Sequence, residues 1–229
     1  RINAILPVRD FSEKKFILMA TARGTVKKTR LVNFSRPRST GLIAVNLKAD
    51  DRLIGVAITD GKQDVMLVSD AGKAIRFAEK NVRPMGRTAA GVRGMKVSKK
   101  QHVISLITFD DSIKNRCILA ATENGYGKKT ALGEFTSRNR GGMGVIAIQA
   151  SKRNGKIVGG IIVSETDDVM LIANEGTLIR TTAGQISKVG RNTQGVRLIK
   201  TTKEKKLVEL ARIEVLEQED NSDKNETVH

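Results

Sequence analysis

The chain has no tryptophan, one tyrosine, three prolines, one cysteine and two histidines in 229 residues, and aromatic residues make up only 3% of it. So few rings argue against a module that grips bases or sugars by stacking. One cysteine excludes a disulfide framework and a thiolate metal site. Cys117 lies in the apolar stretch Arg-Cys-Ile-Leu-Ala-Ala and reads as a small buried hydrophobe, and His102 and His229 cannot build a zinc site with it. No apolar run approaches the roughly 18 residues of a membrane span, and the opening Arg-Ile-Asn-Ala-Ile-Leu-Pro-Val is no signal peptide. The expectation is a cytoplasmic protein without a membrane partner. With no initiator Met, the chain reads as a fragment.

Positive charge, in contrast, is abundant. There are 41 Lys+Arg against 24 Asp+Glu, a formal +17. Residues 217–229 hold five acids (Glu217, Glu219, Asp220, Asp223, Glu226) and one base (Lys224), a net −4, which leaves +21 on residues 1–216. A body so cationic implies a polyanionic partner, nucleic acid first and an acidic membrane surface second. The hydrophobic content of 39% is that of a folded protein, and the length suffices for a substantial core.

The charge is placed periodically. Turn glycines Gly24, Gly72, Gly125 and Gly176 recur at spacings of 48, 53 and 51 residues, the period of a bladed or solenoid architecture. An apolar run precedes each glycine, at residues 17–20, 65–68, 118–121 and 169–172. Four residues beyond each glycine stands a cation, Lys28, Arg76, Lys129 or Arg180, and ten beyond stands an apolar anchor, Phe34, Val82, Phe135 or Ile186. A second glycine follows as Gly41, Gly91, Gly144 and Gly195, preceded by a basic loop. The loop cations are Arg36 and Arg38, then Arg83 and Arg87, then Arg138 and Arg140, then Lys188 and Arg191. Another strand is expected after the second glycine, clearest at 42–47 and 145–148, and a closing apolar strand ends each repeat at 53–58, 103–109, 157–163 and 207–213.

Short β-branched runs broken by glycine read as strands, and no segment sustains a 3.6-residue period. The expected fold is all-β and propeller-like, with blades of four strands at 9–59, 60–109, 110–164 and 165–216. Residues 1–8 are expected to be the closing strand of a truncated upstream blade, and 217–229 a disordered acidic tail. Two readings of that tail stand: a solubilising end, or a DNA mimic that competes for the basic rim.

Four motifs carry a family resemblance. Ala22-Arg-Gly-Thr-Val-Lys-Lys-Thr29, Arg83-Pro-Met-Gly-Arg-Thr-Ala-Ala-Gly-Val-Arg-Gly94, Glu123-Asn-Gly-Tyr-Gly-Lys-Lys-Thr130 and Val189-Gly-Arg-Asn-Thr-Gln-Gly-Val196 closely resemble repeats of the C-terminal domain of DNA gyrase A. The resemblance spans residues 1 to 216 and implies a six-bladed β-pinwheel, of which about four complete repeats are present. It implies a basic rim that wraps double-stranded DNA with one hand, in support of ATP-dependent negative supercoiling. The partners it implies are the N-terminal core of gyrase A and the gyrase B protein, in a nucleoid-associated enzyme. ATP and Mg would bind elsewhere in that parent enzyme, so no cofactor is expected here. Arg138-Asn-Arg-Gly-Gly-Met-Gly144 is similar to the family's box heptapeptide, Gln-Arg-Arg-Gly-Gly-Lys-Gly, at Arg140, Gly141, Gly142 and Gly144, and differs at Arg138, Asn139 and Met143.

For phosphate contacts, the loop residues Arg36, Arg38, Arg83, Arg87, Arg138, Arg140, Lys188 and Arg191 come first. Lys28, Arg76, Lys129 and Arg180 come second. In Lys27-Lys28 and Lys128-Lys129, alternation along a strand predicts that one of each pair faces the DNA. Catalysis is not expected: Tyr126 sits in a repeat turn where other repeats have Thr25, Lys73 and Thr177, and no Gly-x-x-x-x-Gly-Lys-Ser/Thr loop is present. The rival readings are the corresponding C-terminal domain of topoisomerase IV, of the same fold, and a protein-binding propeller.

Overall fold

The computed structural model describes residues 2–112, 115–202 and 204–213, and among these all regular structure is strand or single 3-10 turns. Each repeat opens with an antiparallel hairpin closed by its turn glycine. The hairpins are β1 (Phe16–Thr21) with β2 (Thr25–Arg30) and β4 (Asp64–Ser69) with β5 (Lys73–Ala78). The next two are β8 (Cys117–Thr122) with β9 (Tyr126–Ala131) and β12 (Asp168–Ala173) with β13 (Leu178–Thr182). Closing strands β3 (Leu53–Thr59), β7 (Val103–Phe109), β11 (Ile157–Val163) and β15 (Leu207–Ile213) pair on the other side of the apolar strand. Two-residue strands β6 (Val92–Arg93), β10 (Val145–Ile146) and β14 (Val196–Arg197) complete the set.

The sheets run β3-β1-β2-β6, β7-β4-β5-β10, β11-β8-β9-β14 and β15-β12-β13, so three blades have four strands and the last has three. The fourth strand of each complete blade comes from the following repeat. Thr25 pairs with Arg93, Lys73 with Ile146, and Tyr126 with Arg197. Segments 9–59, 60–109 and 110–164 therefore each supply three strands of their own blade, and the expectation of four strands per contiguous repeat is corrected by this exchange.

The exchange explains two other departures. Residues 42–47 form no strand, because among the described residues no cationic strand precedes theirs to accept them. Residues 2–8 form none either: Ile2 and Ile5 are exposed, and an extended segment with no ladder beside it gains nothing from burial. At the other end, β13 has no exchange strand among the described residues, and its Leu178 and Ile179 are exposed. Residues 217–229 lie outside the described residues.

The core lies between blades. The apolar strands of the first three blades are buried on both faces along most of their length, which is why their sequences are continuous rather than alternating, while β12 of the last blade is buried on one face and half-buried on the other. Val65 and Leu67 pack with Leu18, Ala20 and Val26 of the first blade, while Met66 and Val68 pack with Ile118 and Ala120 of the third. Leu119 and Ala121 pack in turn with Val169 and Leu171. Consecutive closing strands touch one another, β3 with β7, β7 with β11 and β11 with β15. The approach is close enough that a Cβ on Gly159 would sit 2.3 Å from Leu210 Cδ2.

Candidate nucleic-acid interface

The cationic strand lies on the outer side of each hairpin, and the basic loop of the next repeat is laid along its outer edge. The attachment is by backbone. Met85 N–H donates to Lys28 O at 2.8 Å, Arg138 N–H to Arg76 O at 2.9 Å, and Val189 N–H to Lys129 O at 2.9 Å. The loop then turns at the second glycine, and the carbonyl of the hairpin glycine receives the residues after the exchange strand, with Gly94, Ala147 and Leu198 each donating at 2.8 Å. The turn must be glycine: Gly24 has φ +82°, and a Cβ there would lie 2.2 Å from Met95 O.

Buried lysines hold two of these loops from below. Lys27 Nζ donates to Ala44 O at 2.8 Å and to Arg87 O; Lys128 Nζ donates to Gly190 O at 2.5 Å and Arg191 O at 2.6 Å. Burial lowers the pKa of both, that of Lys128 to about 8. The third hairpin has Lys128 where the second has Ile75, which is buried against apolar neighbours instead.

Successive loops are also bonded edge to edge. Asn46 Nδ2 donates to Thr88 O at 2.7 Å. Arg140 donates to Asn81 O and Arg93 O, both at 2.9 Å, and Gly141 N–H donates to Gly94 O at 2.6 Å. Arg191 reaches Ile146 O at 3.1 Å, and Gln149 Nε2 reaches Asn192 Oδ1 at 2.8 Å. The four basic loops thus form one continuous outer rim.

On that rim Arg36, Arg38, Arg83, Arg138 and Lys188 are exposed, and no side-chain ion pair is formed by them among the described residues. Arg87, Arg140 and Arg191 are half-buried. Arg140 and Arg191 spend guanidinium donors on carbonyls of the neighbouring loop. Arg38 and Arg87 face one cleft of about 590 Å³ with Thr40, Gly41 and Thr88. Exposed Arg93 and Arg197, on the exchange strands, add to the set. Neither is among the sequence candidates, although the recurrence of Gly-Val-Arg at Gly91 and Gly195 could have found them.

The second group of cations needs correction. Lys28, Arg76 and Lys129 are buried. Each pairs with a carboxylate of the next blade: Lys28 with fully buried Glu79 at 3.5 Å, Arg76 with Asp111 and also Asp64, Lys129 with Glu165. Burying a cation demands a counter-charge, so these residues bind blades together rather than meeting a ligand. Arg180, in the last blade, is exposed and pairs with Asp168 of its own strand pair. The expectation that one of each lysine pair faces DNA fails too, since Lys27, Lys28, Lys128 and Lys129 are all buried. Cys117 is buried, which raises its thiol pKa.

Among the described residues no three His, Cys, Asp or Glu gather to hold a metal, and no helix is long and apolar enough to cross a membrane.

The family described as DNA gyrase C-terminal domain, beta-propeller, matches this chain at residues 15–60, 63–110, 118–164 and 167–214. DNA gyrase A of Salmonella typhimurium is 52% identical over 213 residues, covering 93% of this chain and 24% of that protein. The chain therefore spans about a quarter of the length of the curated relatives it matches. Among solved structures, the C-terminal domain of DNA topoisomerase IV superposes with a TM-score of 0.85 at 29% identity, covering 91% of this chain and 65% of that one. The DNA gyrase A C-terminal domain superposes at 0.80 and 26% identity, covering 90% and 68%.

Proposed function

Because the chain belongs to the DNA gyrase C-terminal domain family, we propose that its outer rim binds duplex DNA and wraps it with one hand, in support of negative supercoiling by gyrase. The observation that carries this reading is the bonding of the four basic loops into one continuous edge whose exposed cations form no side-chain ion pair among the described residues. Duplex lying there exchanges condensed counterions for Lys and Arg, an entropic gain that is steeply salt-dependent. Among the described residues no helix offers itself to a groove, so readout by an inserted helix is not available and preference among sequences is expected to follow bendability.

The chain supplies DNA positioning, not bond chemistry. Strand breakage and ATP hydrolysis belong to the gyrase A core and the gyrase B protein, its partners in this reading, within the nucleoid. A second reading, topoisomerase IV, is favoured by the TM-score of 0.85; the 52% identity to gyrase A against 29% supports gyrase.

The test is a topology assay. The chain is bound to nicked circular plasmid, the nick is sealed, and the linking number is read after deproteinisation. A positive shift that grows with protein supports chiral wrapping. Tight, salt-sensitive binding without a shift points to the topoisomerase IV reading, and no binding at low salt removes the nucleic-acid reading.

A further inference from the structure

At the Gly125 end of the third blade lies a cavity of about 400 Å³, with Tyr126 at its wall and Arg153, Arg197, Lys200 and Lys206 around it. Arg197 donates to the Tyr126 hydroxyl at 3.0 Å, and the guanidinium carbons of Arg153 and Arg197 lie 4.9 and 5.5 Å from the ring centroid. Lys206 Nζ donates to Asn124 Oδ1 at 2.5 Å. Three of the four cations are therefore held in place by neutral groups before any ligand arrives, which lowers the ordering cost of binding. Hydrogen bonds from Arg153 and Arg197 also hold the phenol pKa below its usual value.

Among the described residues no carboxylate lines this cavity. Glu123, the acid of the turn, accepts from the Lys156 backbone N–H and lines the neighbouring cavity instead. The equivalent ends of the first two blades differ. In the first, Arg23 is neutralised by Asp50 at 2.7 Å; in the second, Asp70 faces His102 at 3.6 Å. At the third turn end, by contrast, four cations gather around a hollow, and among the described residues none of them forms a side-chain ion pair.

Like charges converging on an open hollow are stabilised by an anion that fills it. A tetrahedral phosphate suits the donors present: two planar guanidinium forks, two ammonium groups and the Thr202 hydroxyl. Arg197 stands on β14, directly after the loop carrying Lys188 and Arg191, so the cavity continues the basic rim. We propose that the Tyr126 pocket seats a backbone phosphate of bound duplex DNA, fixing where the duplex crosses the third blade. This rests on the rim reading given above.

Tyr126 is the sole tyrosine and tryptophan is absent, so tyrosine fluorescence or the NMR signals of ring-labelled tyrosine report on this pocket alone. The full chain is titrated at low salt with a short duplex, and separately with inorganic phosphate. The proposal expects a saturable change in the Tyr126 signal with duplex. It also expects that Arg153→Gln combined with Lys200→Gln abolishes the change and flattens the slope of log K against log salt by about 1. Arg153→Lys with Lys200 intact should restore most of both. These side chains are exposed, and an unchanged melting temperature certifies the fold of each variant. Duplex binding with a silent Tyr126 and an unaltered slope overturns the pocket and leaves the rim intact. A response to inorganic phosphate but not to duplex overturns the assignment to DNA and makes the pocket a site for a free phosphate. Absence of duplex binding overturns the rim reading itself.

Discussion

At the scale of single residues, the cations of this chain divide by burial into two jobs. Glu79 is fully buried and accepts from Thr59 Oγ1 at 2.7 Å and Gly61 N–H at 3.1 Å while facing Lys28. Glu79→Ala leaves that buried ammonium uncompensated, and urea denaturation should show a loss of about 3–5 kcal/mol. Asp168→Ala, which breaks the exposed Arg180 pair, should cost far less. Arg36→Ala and Arg138→Ala should leave stability within about 0.5 kcal/mol. Each should flatten the salt dependence of DNA binding by about one unit of slope. Lys128 titrates near pH 8 in the fold, against the 10.5 of a free lysine side chain. Between those values the unfolded chain holds more protons than the folded one, so stability rises with pH across that window. Lys128→Met should show a smaller rise, with Lys27 still contributing in the same direction, as read from denaturation midpoints of the two proteins at matched pH.

At the scale of elements, the exchange strand is the unit that matters. Two residues of ladder, as in β10, are too short to persist alone. They persist because the following residues dock on the hairpin glycine carbonyl, Ala147 at 2.8 Å and Ile148 at 3.2 Å from Gly72 O. The β13 edge has no such cover among the described residues, and its first three residues are exposed. In hydrogen exchange, the β13 amides that point away from β12 should exchange faster than the β9 amides that face β14. Equal protection would mean that the β13 edge is covered in solution. An uncovered apolar edge is also a template for unwanted pairing, which makes Leu178 and Ile179 the first residues to substitute if the protein aggregates.

At the scale of the whole molecule, blades are joined three times over: by apolar clusters, by ion pairs from Lys28, Arg76 and Lys129, and by loop-to-loop hydrogen bonds on the rim. The relative placement of the rim loops therefore follows from the packing of the blades. Five exposed loop cations with Arg93 and Arg197, none in a side-chain ion pair among the described residues, at about 0.9 per neutralised phosphate, set the expected slope of log K against log salt at about −6. A slope near zero, measured by fluorescence anisotropy across a salt series, would contradict an electrostatic rim.

Local chemistry alone specified the repeat, the hairpins, the closing strands and the anchors Val82, Phe135 and Ile186, all buried as expected. A glycine supplies positive φ, β-branched residues suit a pleated core strand, and a period that recurs is visible without any contact. The exposure of Arg36, Arg38, Arg83, Arg138 and Lys188 was legible for the same reason, since long cations in turn-rich loops have few ways to be buried, whereas the half-burial of Arg87, Arg140 and Arg191 against the neighbouring loop was not. Which neighbour each strand meets was settled instead by the packing of blades. That choice sends the fourth strand of a blade to the previous repeat and leaves 42–47 unpaired. It also turns Lys28, Arg76 and Lys129 from surface charges into buried, paired cations, because their counter-charges Glu79, Asp111 and Glu165 lie 51, 35 and 36 residues away and come near only when blades pack. Burial and pairing are properties of that packing, and a lysine on a strand reads the same in sequence whether it meets solvent or a carboxylate.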